Sequence, residues 1–565
     1  MKRLFALLML LNWYSNLIGQ NLESISKKPL SLSGNLAIGS SFYHTNDTLN
    51  TRSPFAYFIN ANPTFKIFGF DVPVSFSYRN HEGTISNPFA RVSINPRYKW
   101  IGLHLGNSNY SYHEYVLSGQ YINGVGLDLT PGKFIFSMAY GKMENPLNQI
   151  DTIIGGSELV ELYDRKAIAL KLGFGSSKTQ ISFSLLKAKD ETRDAQPDSL
   201  VRIFKPAENF VAGTSLRITP FGKLSLYGNL AASLNTANQN SSIIPLSGDA
   251  LELEEKYGDQ MTINFSTKLQ LAGDVGIDLK FKQIGFGVQY KRVDPFYNSL
   301  GTYYFLNDYE NLLFKTNINL LKNKINFNGS FGWQRNNIND LRSQTNVRNI
   351  ANVTLSIRPS RSFNTTFRYS NLKSDRSPGL VNVNDTLRYT RVNQTYGVIP
   401  VLILGSSQLV ISANYQSMEN LLSSSPENQV IGSYIGTLAY TYRFKKIEMN
   451  LGFNASGLQN EVNLIKSQRL GGGINVAKSF LDKKIRLSTN VSYFKNFIND
   501  IADGNTATAR LGINASISSS SSITLNTSFV DRQNTSRSYQ EIRGTAKVNY
   551  VFNNRNSNKN EKDHF

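Results

Sequence analysis

A strict two-residue alternation constrains this chain more than any other feature. In KINFNGSFGWQ, Ile325, Phe327, Gly329, Phe331 and Trp333 fall on one face of an extended strand, and Asn326, Asn328, Ser330, Gly332 and Gln334 on the other. Successive strand side chains point to opposite sides, so one face suits hydrocarbon and the other suits water. The pattern returns in Ile447, Met449, Leu451 and Phe453 against Glu448, Asn450, Gly452 and Asn454. It returns again in Ile485, Leu487, Val491 and Tyr493 against Arg486, Ser488, Asn490 and Ser492.

Soluble sandwiches alternate too, so loop lengths must decide. Tight connections fall at Thr130 to Lys133, Thr219 to Lys223, Leu321 to Lys324, Arg358 to Arg361, Lys445-Lys446 and Asp482 to Lys484. Longer polar ones lie near 145–163, 190–206, 236–259, 296–308, 337–345, 375–386, 421–429 and 534–538. Short turns at one end and longer loops at the other describe an all-β transmembrane barrel. The segment Met261 to Phe281 keeps its apolar phase through Gly273 and reads as one long strand. With it the short and long connections alternate without a break, giving about 26 antiparallel strands, within a range of about 24 to about 28.

The ends of the chain fit this reading. MKRLFALLMLLNWYSNLIGQ carries Lys2 and Arg3, an apolar run and small or polar residues near Gly19, the layout of a secretory signal over 1–19. A short segment 20–31 would precede a barrel over 32–552, and a polar tail would occupy 553–565. The last strand, EIRGTAKVNYVF, ends its outward face on Val548, Tyr550 and Phe552, which resembles the C-terminal assembly signal that the barrel-assembly machinery reads in outer-membrane barrels, although here NNRNSNKNEKDHF follows it. Both termini then share one end, the periplasmic one, of a barrel in the outer membrane of a Gram-negative bacterium. The chain has no Cys, so disulfides and thiolate metal sites are excluded. With 40% hydrophobic residues, 28 Tyr and 34 Phe, it is lean in core and rich in aromatics, as barrels with aromatic girdles are.

The formal charge is +20. Export removes nucleic acid as a partner, and the charge maps instead to the tight turns. Lys133, Lys223, Lys322, Lys324, Arg358, Arg361, Lys445, Lys446, Lys483 and Lys484 would form a basic periplasmic rim facing lipid, lipopolysaccharide or an acidic envelope protein. Three loops are acidic, with Glu158, Glu161 and Asp164, then Asp190, Glu191, Asp194 and Asp198, then Glu252, Glu254, Glu255 and Asp259. None has EF-hand spacing, and solvated loops are the reading. His44, His81 and His113, at the outer ends of neighbouring hairpins, are the candidate metal ligands, while His104 would face the lumen alone.

Catalytic and cofactor motifs are lacking. No G-x-S-x-G or H-E-x-x-H occurs, so the chain reads as no enzyme and implies no cofactor. GVGLDLTPGKFIFSMAYGK, at 124–142, mimics a phosphate loop, yet Gly126 and Gly132 have the wrong spacing and Phe134 follows Lys133. It reads instead as a hairpin pairing Leu129 with Phe134, Leu127 with Phe136 and Val125 with Met138, with Gly126 opposite Ser137 and Gly124 opposite Ala139. Pro131 and Gly132 would close it in a type II or wider turn.

The Gln at the signal junction, the Asn- and Tyr-rich strands and LSGQYINGVGLDLTPGKFIFSMAYGK resemble large outer-membrane barrels of Bacteroidota. The specific part of the likeness covers Leu32 to Pro146. It implies a porin-like or envelope-machinery barrel, with no substrate and no site residues to carry over.

A ring of this many strands, about 4.8 Å apart and tilted near 40°, is roughly 50 Å across. The loops at 145–163, 190–206 and 236–259 are the expected fillers. Two functions fit: a conduit for a solute or exported polypeptide, or a non-transporting accessory barrel of an envelope protein complex.

Overall fold

The computed structural model describes residues 30–47, 52–80, 90–143, 163–176, 178–192, 205–242, 249–302, 306–379, 388–422, 429–463, 465–535 and 537–553. The expected signal over 1–19, the segment up to 29 and the tail from 554 lie outside them. One antiparallel sheet closes on itself. The first strand, β1 (Leu30–Thr45), pairs with β2 (Phe55–Ile67) on one side and with the last, β27 (Tyr539–Asn553), on the other. Of 27 strand segments, β4 (Ala90–Ile94) and β5 (Arg97–Tyr98) are two halves of one stave, since both pair with β3 (Phe70–Arg79) and β6 (Ile101–Tyr110). Pro96, which has no N–H to give the ladder, sits at the break. The barrel therefore has 26 staves.

The alternation sorts the faces as the sequence implies. Outward-pointing Phe331, Leu172 and Val491 are 47%, 47% and 53% exposed, forming an apolar belt. Val548 and Tyr550 are on the same face, where β27 meets Ile38 and Leu36 of β1. The inner face is polar or small. One row runs His104, Gly126, Ala139, Ala169, Leu186, Val211, Ser233 across adjacent strands.

Three expectations need correction. The hairpin of β7 (Gln120–Leu129) and β8 (Phe134–Met143) pairs Leu129 with Phe136, Leu127 with Met138 and Val125 with Tyr140, which sets Gly126 opposite Ala139 and Gly124 opposite Gly141. The register differs by two residues, so every side chain keeps its face. The turn's closing bond runs from Phe134 N to Pro131 O at 3.2 Å, placing Gly132, with φ of 65°, second in the turn in place of Pro131. Phe134 and Ile135 then overhang β7 and pair with Phe174 and Gly173 of β9 (Tyr163–Gly175).

The second correction concerns Met261 to Phe281. It supplies one stave as read, but the ladder of β13 covers only Thr267–Lys280. Met261 and Ile263 turn back and bury with Leu234, on the outer side of the wall.

Third, the alternation of short and long connections breaks at two hairpins. Only two residues separate β22 (Met449–Val462) from β23 (Ile465–Phe480), and β24 (Ile485–Ile498) from β25 (Ile501–Ser516). Asn499 and Asp500 adopt φ of 49° and 64°, the left-handed pair that a two-residue hairpin turn needs. Asn499 Oδ1 also accepts from Lys466 N at 2.8 Å.

Candidate functional site: the lumen

Among the described residues the lumen is filled on one side only. Fully buried apolar side chains gather in one cluster between Tyr110 and Leu300. Its centre is the connection after β6, residues 111–119, which folds inward. A one-turn loop at its tip is closed by Leu117 N to His113 O at 3.1 Å. Tyr115, Val116 and Leu117 are 0% exposed, pressed against the small inner-face residues Ala139, Ala169 and Ala188 of the wall.

A second inward segment, residues 294–302 after β14 (Ile284–Val293) and ahead of β15 (Tyr309–Leu320), clamps the first. Tyr297 Oη donates to Tyr115 O at 2.8 Å, Ser299 Oγ to Val116 O at 2.6 Å, and Ser118 N to Gly301 O at 2.9 Å. Asn209 on β11 (Glu208–Ile218) then fixes the clamp to the wall. Its Nδ2 donates to Ser233 Oγ at 2.9 Å, and its Oδ1 accepts from Leu300 N at 3.1 Å.

Charge reinforces the docking. Tyr115 Oη donates to Asp274 Oδ1 at 2.8 Å, and Lys291 Nζ reaches Glu114 Oε1 at 2.6 Å while lying 5.0 Å from the centre of the Tyr115 ring. Burial pushes the phenols of Tyr112, Tyr115 and Tyr297 up, so all three stay neutral across physiological pH, and those of Tyr115 and Tyr297 serve as donors. Burial pushes the His113 imidazole down, opposed by its bond to Thr214 O and by Glu114 and Asp274.

The segment 296–308 reads as a polar outer loop, yet its residues 296–302 are part of this plug. The three expected fillers behave differently. Residues 144–162 and 193–204 lie outside the described residues. In the connection after β12 (Leu224–Thr236) the described stretch 249–266 folds outward: Met261 and Ile263 cover Leu234, and Thr262 N donates to Glu208 Oε2 at 3.1 Å on the outer side of the wall. It carries the helix α1 (Asp249–Tyr257), which holds Glu252, Glu254 and Glu255.

The other candidate residues are placed as follows. Lys133, Lys223, Lys322, Lys324, Arg358, Arg361, Lys445, Lys446, Lys483 and Lys484 all stand in connections at the rim that carries both chain ends. His44 is on the outward face of β1 opposite Ile542, and His81 lies outside the described residues. His113 is buried in the plug, with Nδ1 accepting from Tyr115 N at 3.1 Å. Among the described residues no group of three or more His, Cys, Asp or Glu could hold a metal. His104 is not alone: its Nε2 is 2.7 Å from Asp128 Oδ2 and its Nδ1 2.9 Å from Asn95 Oδ1. Asp164 and Glu191 pair with Lys142 and Lys166, and Asp190 with Arg165.

Known proteins add little. No family model matches the chain, and no curated protein does. Among solved structures, the chain is similar to the translocation pore of the P pilus usher PapC (10% identity, 93% of this chain and 100% of that one, TM-score 0.38). It is also similar to the FrpB iron transporter of Neisseria meningitidis (11% identity, 92% and 81%, TM-score 0.38). A third is the ferric enterobactin receptor PfeA of Pseudomonas aeruginosa (10% identity, 92% and 80%, TM-score 0.39).

Proposed function

We propose that the protein is an outer-membrane conduit whose lumen passes a solute or an exported polypeptide. The supporting observation is the one-sided plug. Described loops cover the inner wall from β6 to the start of β15, where Tyr309 packs on the plug, whereas the inner face from β16 (Ile325–Asn336) to β27 carries side chains that no described loop covers. Cationic residues on this arc, among them Arg348, Arg368, Arg510 and Arg543, are exposed although they point inward. A scaffold barrel gains nothing from a solvated inner arc, while a conduit requires one.

The termini and the tight basic turns face the periplasm in this orientation, with the lysine-rich rim toward anionic headgroups or acidic envelope partners. Conductance of the purified protein in a planar bilayer is the test. Stable steps support the conduit; a silent barrel that co-purifies with envelope proteins would favour the accessory role.

A further inference from the structure

The uncovered arc has a chemical character of its own. Parity carried along the hydrogen-bonded registers puts Arg348, Ser374 and Arg391 side by side on the inner face of β17 (Gln344–Ile357), β18 (Phe363–Pro378) and β19 (Tyr389–Leu404). Arg376 stands one step above Ser374 on the same face. The same arrangement recurs on β25, β26 (Ser521–Asn534) and β27, where Arg510, Ser528 and Arg543 are neighbours. In each row the small serine leaves an open seat between two guanidinium groups carried by strands about 10 Å apart, twice the strand spacing. The second seat is a depression of about 600 Å³, lined also by Asn490, Asn526 and Thr545.

Two of the four row cations are engaged, Arg543 by Glu541 and Arg391 by Met418 Sδ. Among the described residues Arg348, Arg376 and Arg510 make no ion pair and no hydrogen bond. In the paired inner-face registers from β15 to β27 the one carboxylate is Glu541, already engaged by Arg543 and, at 2.9 Å, by Tyr43 Oη. Asp503 lies beyond the register that β25 shares with β26. Asp128, Asp190 and Asp274, by contrast, face the plugged arc and are each held by a hydrogen-bond donor.

We infer that the open arc is an anion path, with the two Arg–Ser–Arg rows as seats for oxyanions, so that the conduit serves solutes bearing carboxylate, sulfate or phosphate groups. This rests on the conduit reading. Guanidinium keeps its charge at every relevant pH and grips oxyanions in a planar fork. Rings of Arg are how pores select anions, and a low-dielectric wall focuses their field.

The test uses the full-length protein in planar bilayers of neutral lipid under a potassium chloride gradient, with inorganic tripolyphosphate as the oxyanion probe. The expected reversal potential shows chloride preferred several-fold over potassium, and tripolyphosphate blocks the chloride current in a saturable way. Arg348→Ser with Arg391→Ser, and separately Arg510→Ser, should bring the permeability ratio toward one and weaken the block. Lys445→Ser with Lys446→Ser, at the rim, should change it far less. Native heat-modifiable gel mobility establishes that each variant folds. A conducting pore that prefers cations or neither ion overturns this inference and leaves the conduit standing. So does an equal loss of selectivity in the rim variant. A barrel with no conductance sinks both.

Discussion

The Tyr115 hydroxyl donates to Asp274 Oδ1 at 2.8 Å across 159 positions of sequence, tying the tip of the plug to the wall strand β13. A hydrogen bond to a charged acceptor contributes about 1.5–3 kcal/mol. Asp274 keeps Asn229 Nδ2 at 3.1 Å when the phenol is lost, so the barrel itself should survive. Tyr115→Phe is therefore expected to lower hydrogen-exchange protection of the amides in 112–118 by roughly 10- to 100-fold, leaving β13 protected. Equal protection in the variant would show that the apolar contacts alone hold the plug.

The same plug should respond to pH through His113. Its folded-state pKa is lowered by burial, so the docked plug holds a neutral ring while the undocked segment binds a proton near the ordinary value of about 6.5. Docking stability is then complete above that value and falls as pH drops through it toward the lowered one. Exchange of 112–118 should accelerate, or current fluctuations grow, between neutral pH and pH of about 5, beyond the intrinsic effect. His113→Gln should remove that dependence. A plug equally protected at both pH values would contradict the sign argued here.

Glycines at two inner and outer positions provide an internal control. A Cβ at Gly301 would lie 2.2 Å from Val116 O, a backbone atom that cannot yield without undocking the plug. At Gly436, on the outward face, a Cβ meets nothing within 4 Å. Gly301→Ala should cost about 1–3 kcal/mol of docking, and Gly436→Ala should leave both plug and barrel unchanged. Exchange of 112–118 and the temperature of gel-mobility loss read the two effects separately.

How much of this was legible in the sequence follows from what each residue answers to. Phe327 and Asn328 answer to lipid and water, two solvents the period-two pattern records directly, so faces and stave number were readable. The hairpin at Pro131 kept its faces but not its register, because a slip of two residues leaves the pattern intact. The plug escaped because Tyr115, Val116 and Leu117 answer to a wall far away in sequence. A signal did exist: YHEYVL is unusually apolar for an outer loop, and Ala139, Ala169, Ala188, Ala231 and Ala272 mark the arc it packs against. The open arc carries Arg and Asn at matching places. Loop 257–266 misled in the opposite way, since Met261 and Ile263 continue the strand phase while covering Leu234 from outside.

The last prediction concerns the inner wall near the loop rim, where Arg165 and Asp190 form a two-bond pair, Nε to Oδ1 at 2.7 Å and Nη2 to Oδ2 at 2.9 Å, with side chains 5% and 2% exposed. Asp190 Oδ2 also accepts from Ala207 N at 3.1 Å, so the pair organises the return of the chain into β11. Removing one partner strands a buried charge, which costs about 3–5 kcal/mol, whereas removing both leaves only unfilled hydrogen bonds. Arg165→Met and Asp190→Asn should each lower the midpoint of urea unfolding in lipid, and the double variant should recover part of the loss. Additive losses in the double variant would mean that the two side chains act independently, contrary to their geometry.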